Sequence, residues 1–207
     1  MNQSFKLLIP CLALCLLLAA CGGEDQSSGD VTQQQTTQSQ TETGTDTSTA
    51  ASDSTGVLSS FSTQTLAGET VDNTMLSGYP VTMVNVWATF CGPCLDEMPD
   101  LGTLAAEYAD KGVQIVGLVS DVLNADATID QEQVDLAKEI VSSTGANYPH
   151  LLPSAELIQS VLMNTQVVPT TFFVDETGKQ IGDTITGAKS IDQWRSILDA
   201  MLAEHAG

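Results

Sequence analysis

A chain of 207 residues with 26 Asp and Glu against 6 Lys and Arg carries a formal net charge of −20. So acidic a surface repels phosphate backbones and anionic headgroups, which excludes nucleic acid as a partner and charge-driven attachment to a membrane. The length allows one folded domain with extra segments, and the acids, spread along the chain, read as solubility charge.

Residues 1–20 read as an export signal. Lys6 gives the positive start, and Leu7 to Ala20 is an apolar run broken only by Pro10 and two cysteines. The run is shorter than the roughly 20 residues of a permanent spanning helix and fits a cleavable leader. It ends Leu18-Ala19-Ala20-Cys21-Gly22, which resembles a bacterial lipobox. That resemblance implies cleavage before Cys21 and acylation of its thiol. Each buried lipid methylene contributes about 0.8 kcal/mol, so acyl chains can hold a domain at a membrane. An ordinary secretory signal with an unrelated cysteine is the alternative. Residues 21–56 then form the lipidated cysteine and a linker of Ser, Thr, Gln, Gly and acids. Such a stretch buries too little apolar surface to offset ordering entropy, and as a coil it spans about 30 Å.

The folded domain is expected over residues 57–207. Phe61 to Leu66 alternates as a strand, Ala67-Gly68-Glu69 turns, and Thr70-Val71 returns, giving a leading hairpin. Val81 to Ala88 is largely apolar and β-branched, as a strand buried on both faces must be. A helix is expected from Cys91 to about Asp110, with Met98, Leu101, Leu104, Ala105 and Tyr108 on one face and Gly112 as its stop. Val113 to Val119 reads as a second buried strand, and Glu132 to Ser143 as a helix ending near Gly145. Leu157 to Met163 reads as a short helix, with Met163 and Met98 as core. Thr170 to Val174 and Gln180 to Thr186 are strands joined by the turn residues Asp175 to Lys179. Ile191 to Met201 closes the chain as an amphipathic helix packed by Trp194. Strands alternating with helices early, and a hairpin late, predict an α/β fold: a mixed sheet flanked by helices. His150, after Tyr148-Pro149, reads as a surface or partly buried packing residue, and His205 as solvated.

The chemistry centres on Cys91-Gly92-Pro93-Cys94. Loss of the leader removes Cys11 and Cys15, and lipidation consumes Cys21, so this pair holds the remaining thiols. It falls where a buried strand meets a helix. A thiolate at a helix N-terminus faces unpaired N–H groups and the positive end of the dipole, which lowers its pKa. Two intervening residues keep both sulfurs in the first turn. Pro93 fits that turn, where a missing N–H costs nothing, and Gly92 keeps the approach to Cys91 open. Cys91 is then the exposed attacking thiol and Cys94 the buried resolving one. A static structural disulfide remains an alternative. Half a zinc site is another, but only His150 and His205 could complete it, so no metal is expected.

Val84-Asn85-Val86-Trp87-Ala88-Thr89-Phe90-Cys91-Gly92-Pro93-Cys94, with Glu97-Met98-Pro99 behind it, resembles the TlpA/ResA-type thiol–disulfide oxidoreductases of the thioredoxin superfamily. So does Val168-Pro169-Thr170-Thr171-Phe172-Phe173-Val174-Asp175. The resemblance implies a thioredoxin-like sheet with an added N-terminal hairpin and a central inserted β-α element. It implies that Pro169 is the cis-proline facing the dithiol, that Val168 offers backbone groups to an extended substrate, and that Trp87, Phe90, Gly92 and Pro93 frame the substrate. Asn85 stands where thioredoxin has a buried aspartate. Glu97 matches the carboxylate that ResA-like members place near the dithiol, implying a proton relay for Cys94 that raises the thiol pKa values; a solvated helix glutamate is the alternative. Phe90 replaces the usual Trp. Gly92-Pro93 is thioredoxin's own dipeptide, compatible with a potential near about −270 mV.

The expected activity is reduction of disulfides in exported proteins, in cytochrome c maturation or methionine sulfoxide reductase recycling. The protein would be a monomer, lipid-anchored on the extracytoplasmic face of the bacterial cell membrane. It would need no cofactor and would be re-reduced by a membrane electron-transfer protein. Disulfide formation in secreted proteins is the alternative direction. A peroxidase would need Pro at 84 and Thr at 88, where this chain has Val84 and Ala88. A binding lipoprotein without exchange chemistry is the remaining class.

Overall fold

The computed structural model describes residues 56–205. The leader, Cys21 and all but the last residue of the linker lie outside the described residues.

Five strands form the main sheet in the order β5-β4-β3-β6-β7. β3 (Val81–Trp87) is central and wholly buried, as its apolar run requires. β4 (Val113–Val119) runs parallel to it, and β6 (Thr170–Val174) antiparallel. β7 (Gln180–Thr186) pairs with β6 across the turn at Gly178, whose φ of 79° suits glycine. The two-residue β5 (His150–Leu151) adds parallel to β4. The residue pattern marks no strand there, because two residues behind a proline carry no readable period, although the family resemblance implied an inserted β-α element in the middle of the domain. The leading hairpin, β1 (Ser62–Gln64) and β2 (Thr70–Asp72), covers that edge: the Leu66 N–H donates to the His150 carbonyl and the Leu152 N–H to that of Gln64. An exposed edge is thereby capped.

Helices flank both faces, as expected. α1 (Gly92–Tyr108), α2 (Gln131–Thr144) and α4 (Ile191–His205) bury Leu101, Leu104, Ala137, Trp194 and Leu198 against Met83 and Trp87. A 3₁₀ turn and Gly112, with φ 90°, end α1. The other face holds Val84, Val86, Val116 and Phe172 under Leu58, Phe61, Leu76 and Leu157 of α3 (Ala155–Ser160). Met163 departs from expectation. It lies in a 3₁₀ turn after α3 and is 73% exposed, because the helical period on which its burial rested stops at Ser160.

Strand register lines up one row of residues across the sheet: His150 on β5, Gly117 on β4, Asn85 on β3 and Thr171 on β6. Residues in one such row face the same side of a sheet. The Asn85 row faces α1, so polar side chains are set beneath the helix that carries the cysteines.

Candidate active site

Cys91 caps α1 and Cys94 lies in its first turn. The two are joined by a disulfide with their Cα atoms 5.3 Å apart. The Cys94 N–H points at Cys91 Sγ over 3.3 Å, so a donor is in place for negative charge on that sulfur. Cys91 is less open than its position alone implied, at 6% exposure against 1% for Cys94. Its side chain turns into the first helical turn to reach its partner, and the neighbouring Phe90, 78% exposed, takes the surface position instead. Around Gly92 the space is open: a Cβ there would meet nothing within 4 Å.

Phe90 and Val168 share the walls of a groove of about 510 Å³ with Ser120, Leu162, Thr165, Gln166 and Val167. Every one of these residues is uncharged, on a chain of net charge −20. The Val168–Pro169 peptide bond is cis, and the Pro169 carbonyl accepts from the Gly187 N–H at 2.8 Å. Trp87 corrects the expectation of substrate contact. It is wholly buried, and its indole N–H donates to His150 Nδ1 at 3.1 Å. It belongs to the core on the α1 side of the sheet.

His150 also departs from expectation. It is fully buried, with Nε2 3.0 Å from the Ala146 carbonyl. Burial pushes its pKa down to about 4, so the ring is neutral. Asp121 was not foreseen: Thr89 donates its N–H and its hydroxyl to that carboxylate at 3.0 and 2.6 Å, clamping the loop ahead of Cys91. A lone aspartate after a strand gives no sequence signal of such a role.

Glu97 is buried, at 3% exposure, which sets aside the solvated alternative. Its Oε1 accepts from Asn85 Nδ2 at 3.0 Å; its Oε2 accepts from the Lys189 backbone N–H at 3.1 Å and the Trp194 indole at 3.2 Å. Desolvation raises its pKa above the ordinary carboxylate value, and the three N–H donors and the Lys189 charge only partly offset this. Cys94 lies three residues earlier on the same helix, the spacing of surface neighbours. A buried carboxylate whose pKa is raised is a better proton acceptor than a solvated one.

The raised pKa sets a pH dependence of stability. A carboxyl whose folded pKa exceeds its unfolded one stabilises the fold below the unfolded value, and that contribution is lost as pH rises through the folded one. Glu97→Gln removes this dependence. Its unfolding free energy relative to wild type should rise as pH climbs through the Glu97 titration, as read by urea unfolding of the oxidised proteins across pH. A difference constant with pH would contradict the buried ionisation.

Residues 38–202 match the Redoxin family. Thiol–disulfide oxidoreductase ResA of Bacillus thuringiensis (strain Al Hakam) is 29% identical over 134 residues, which are 64% of this chain and 69% of the relative. Among solved structures, a thiol:disulfide interchange protein of the thioredoxin family from Chlorobium tepidum TLS is 28% identical. That match covers 69% of this chain and 93% of the other, with a TM-score of 0.57. Mycobacterium tuberculosis DsbF is 26% identical over 70% of this chain and 96% of its own, with a TM-score of 0.55.

Proposed function

Because the chain belongs to the Redoxin family and is a thiol–disulfide oxidoreductase of the ResA type, we propose that it reduces disulfides in exported proteins from a lipid anchor at Cys21. The carrying observation is the Cys91–Cys94 disulfide at the N-terminus of α1, with Cys94 the deeper sulfur. In the reduced protein the Cys91 thiolate bonds to one substrate sulfur as the substrate S–S bond breaks. The other substrate sulfur leaves as a thiolate and takes a proton from solvent, the counterpart of the one Cys91 released on ionising. Cys94 then passes its proton to Glu97, attacks Cys91 Sγ and releases the second substrate thiolate. Two electrons move from the dithiol to the substrate, and Glu97 returns its proton to that second thiolate.

The uncharged groove beside Phe90 and Val168 supports an extended, uncharged substrate segment, with Val168 supplying backbone pairing and Pro169 facing the dithiol. Gly92 and Pro93 leave the face of the first turn open to it. Substrates of the proposed class are apocytochrome c and an extracellular methionine sulfoxide reductase. Re-reduction falls to a membrane electron-transfer protein, since an exported domain has no direct access to cytosolic reductant. Among the described residues no helix is long and apolar enough to cross a membrane; the proposed attachment is the lipid at Cys21.

Cys94→Ser tests the reading in cells. Cys91 should then accumulate in mixed disulfides that non-reducing gels retain and mass spectrometry identifies. Finding none defeats the proposal. A potential of the wild-type pair well above about −200 mV would reverse the direction of transfer.

A further inference from the structure

The two oxygens of the Glu97 carboxyl have unlike surroundings. Oε2 is held by the Lys189 backbone N–H and the Trp194 indole N–H. Both groups donate only, so neither can face an O–H. A proton arriving at Glu97 therefore settles on Oε1. The partner there is Asn85 Nδ2, which is also a donor. With its O–H directed at Asn85, the acid form would set an O–H against an N–H.

Asn85 can resolve this conflict. Its Oδ1 is buried and has no hydrogen-bond partner, while its Nδ2 serves both Glu97 Oε1 and Thr171 Oγ1, each at 3.0 Å. The oxygen and NH₂ of a carboxamide are nearly the same size, so the group can turn over in place. Turned over, Oδ1 accepts from the new Oε1–H and from the Thr171 hydroxyl, which can donate as well as accept. In either orientation one end of the amide is left over, so the number of unpaired groups changes little. The protonation state of Glu97 decides between the two.

We propose that Asn85 is a positioning residue whose amide reverses as Glu97 gains and loses its proton, so that Oε1 stays hydrogen-bonded in both states. This rests on the reading of Glu97 as the proton acceptor for Cys94. An aspartate at this place would put two carboxylates in hydrogen-bond contact, where like charges cannot both ionise freely. The amide avoids that and still offers both a donor and an acceptor. Other charged or titratable groups around Glu97 are Lys189 ahead of α4 and Tyr148 ahead of β5, whose phenol is pushed up first by burial and then by the Glu97 charge. Cys94 precedes Glu97 by three residues on the same helix. His150 stacks on Tyr148 and is neutral.

NMR of the oxidised wild-type protein tests this without titrating thiols. Glu97 Cδ is assigned by its loss in Glu97→Gln, and the Asn85 side-chain amide by its loss in Asn85→Leu. Both signals should move through one common midpoint. In Glu97→Gln the Asn85 amide should lose its titration and sit at its low-pH position throughout, because a glutamine Nε2–H donates to Oδ1 as the acid does. An Asn85 amide that stays still while Glu97 titrates overturns the proposal, and so does a Glu97 that never titrates while the protein is folded. The first result leaves exchange through Cys91 untouched, so failure here and failure of the functional reading are separable.

Discussion

Cys91→Ser should abolish thiol–disulfide exchange, by on the order of 10³-fold or more, the scale on which removing a nucleophile acts. The thiolate is the attacking species in exchange, and a serine hydroxyl does not ionise near neutrality. The geometry makes the two cysteines unequal. Cys91 caps α1, with the Cys94 N–H aimed at its sulfur and the open side of Gly92 next to it. Cys94 sits one turn in at 1% exposure. Single-turnover reduction of a peptide disulfide separates them. Cys94→Ser should form the mixed disulfide at a rate near wild type and then stop. Cys91→Ser should form none. Equal single-turnover rates for Cys91→Ser and wild type would show that Cys91 is not the nucleophile, and no exchange in either would leave only a binding function.

Gly117→Ala should lose about 3 kcal/mol of stability, a large part of the 5–15 kcal/mol typical of a domain. Gly117 lies between His150 and Asn85 in the row across the sheet. A Cβ there would fall against His150 Nδ1, with ring atoms Cε1 and Cγ at 2.9 and 3.1 Å. The ring cannot easily withdraw. Nδ1 is bonded to Trp87, Nε2 to Ala146, and Tyr148 stacks on it at 4.4 Å between centroids. Moving it adds an overpacking cost of about 1–3 kcal/mol to about 1–3 kcal/mol for a buried donor left unpaired. Urea unfolding measures the loss. His150→Ala in the same chain should recover part of it, since the two sites share one contact. A loss under about 0.5 kcal/mol, the scale of an ordinary surface substitution, would show that the ring yields freely and that the Trp87–His150 bond is not held by packing.

The main elements were legible because their periods are unambiguous. Val81–Trp87 is too apolar to be anything but a central strand, and the α1 face built on Met98, Leu101, Leu104 and Tyr108 repeats at helical spacing. The strands Thr170–Val174 and Gln180–Thr186 fell at their observed limits because turn residues bound them. β5 was invisible: two residues are shorter than any period, and what makes them a strand is β4 on one side and the leading hairpin on the other. Met163 was misplaced for a related reason, since a helical pattern does not mark where a short helix gives way to a 3₁₀ turn.

At the site, the sequence alone determined the dithiol, its place at a strand–helix junction, and the proline loop that belongs with it. These are local or motif-borne, because cysteine spacing and proline identity carry chemistry without help from distant residues. Tertiary structure decided what surrounds them. It buried Trp87 in the core, turned His150 from an expected surface or partly buried packing residue into a neutral, fully buried partner of that indole, and clamped Thr89 with Asp121. It also gave Glu97 partners 12, 92 and 97 residues away, in Asn85, Lys189 and Trp194. The reason is physical: a buried carboxyl is tolerated only where donors converge on it. Convergence of a strand, a turn and a helix on one oxygen pair is a property of the packed fold, not of any stretch of sequence.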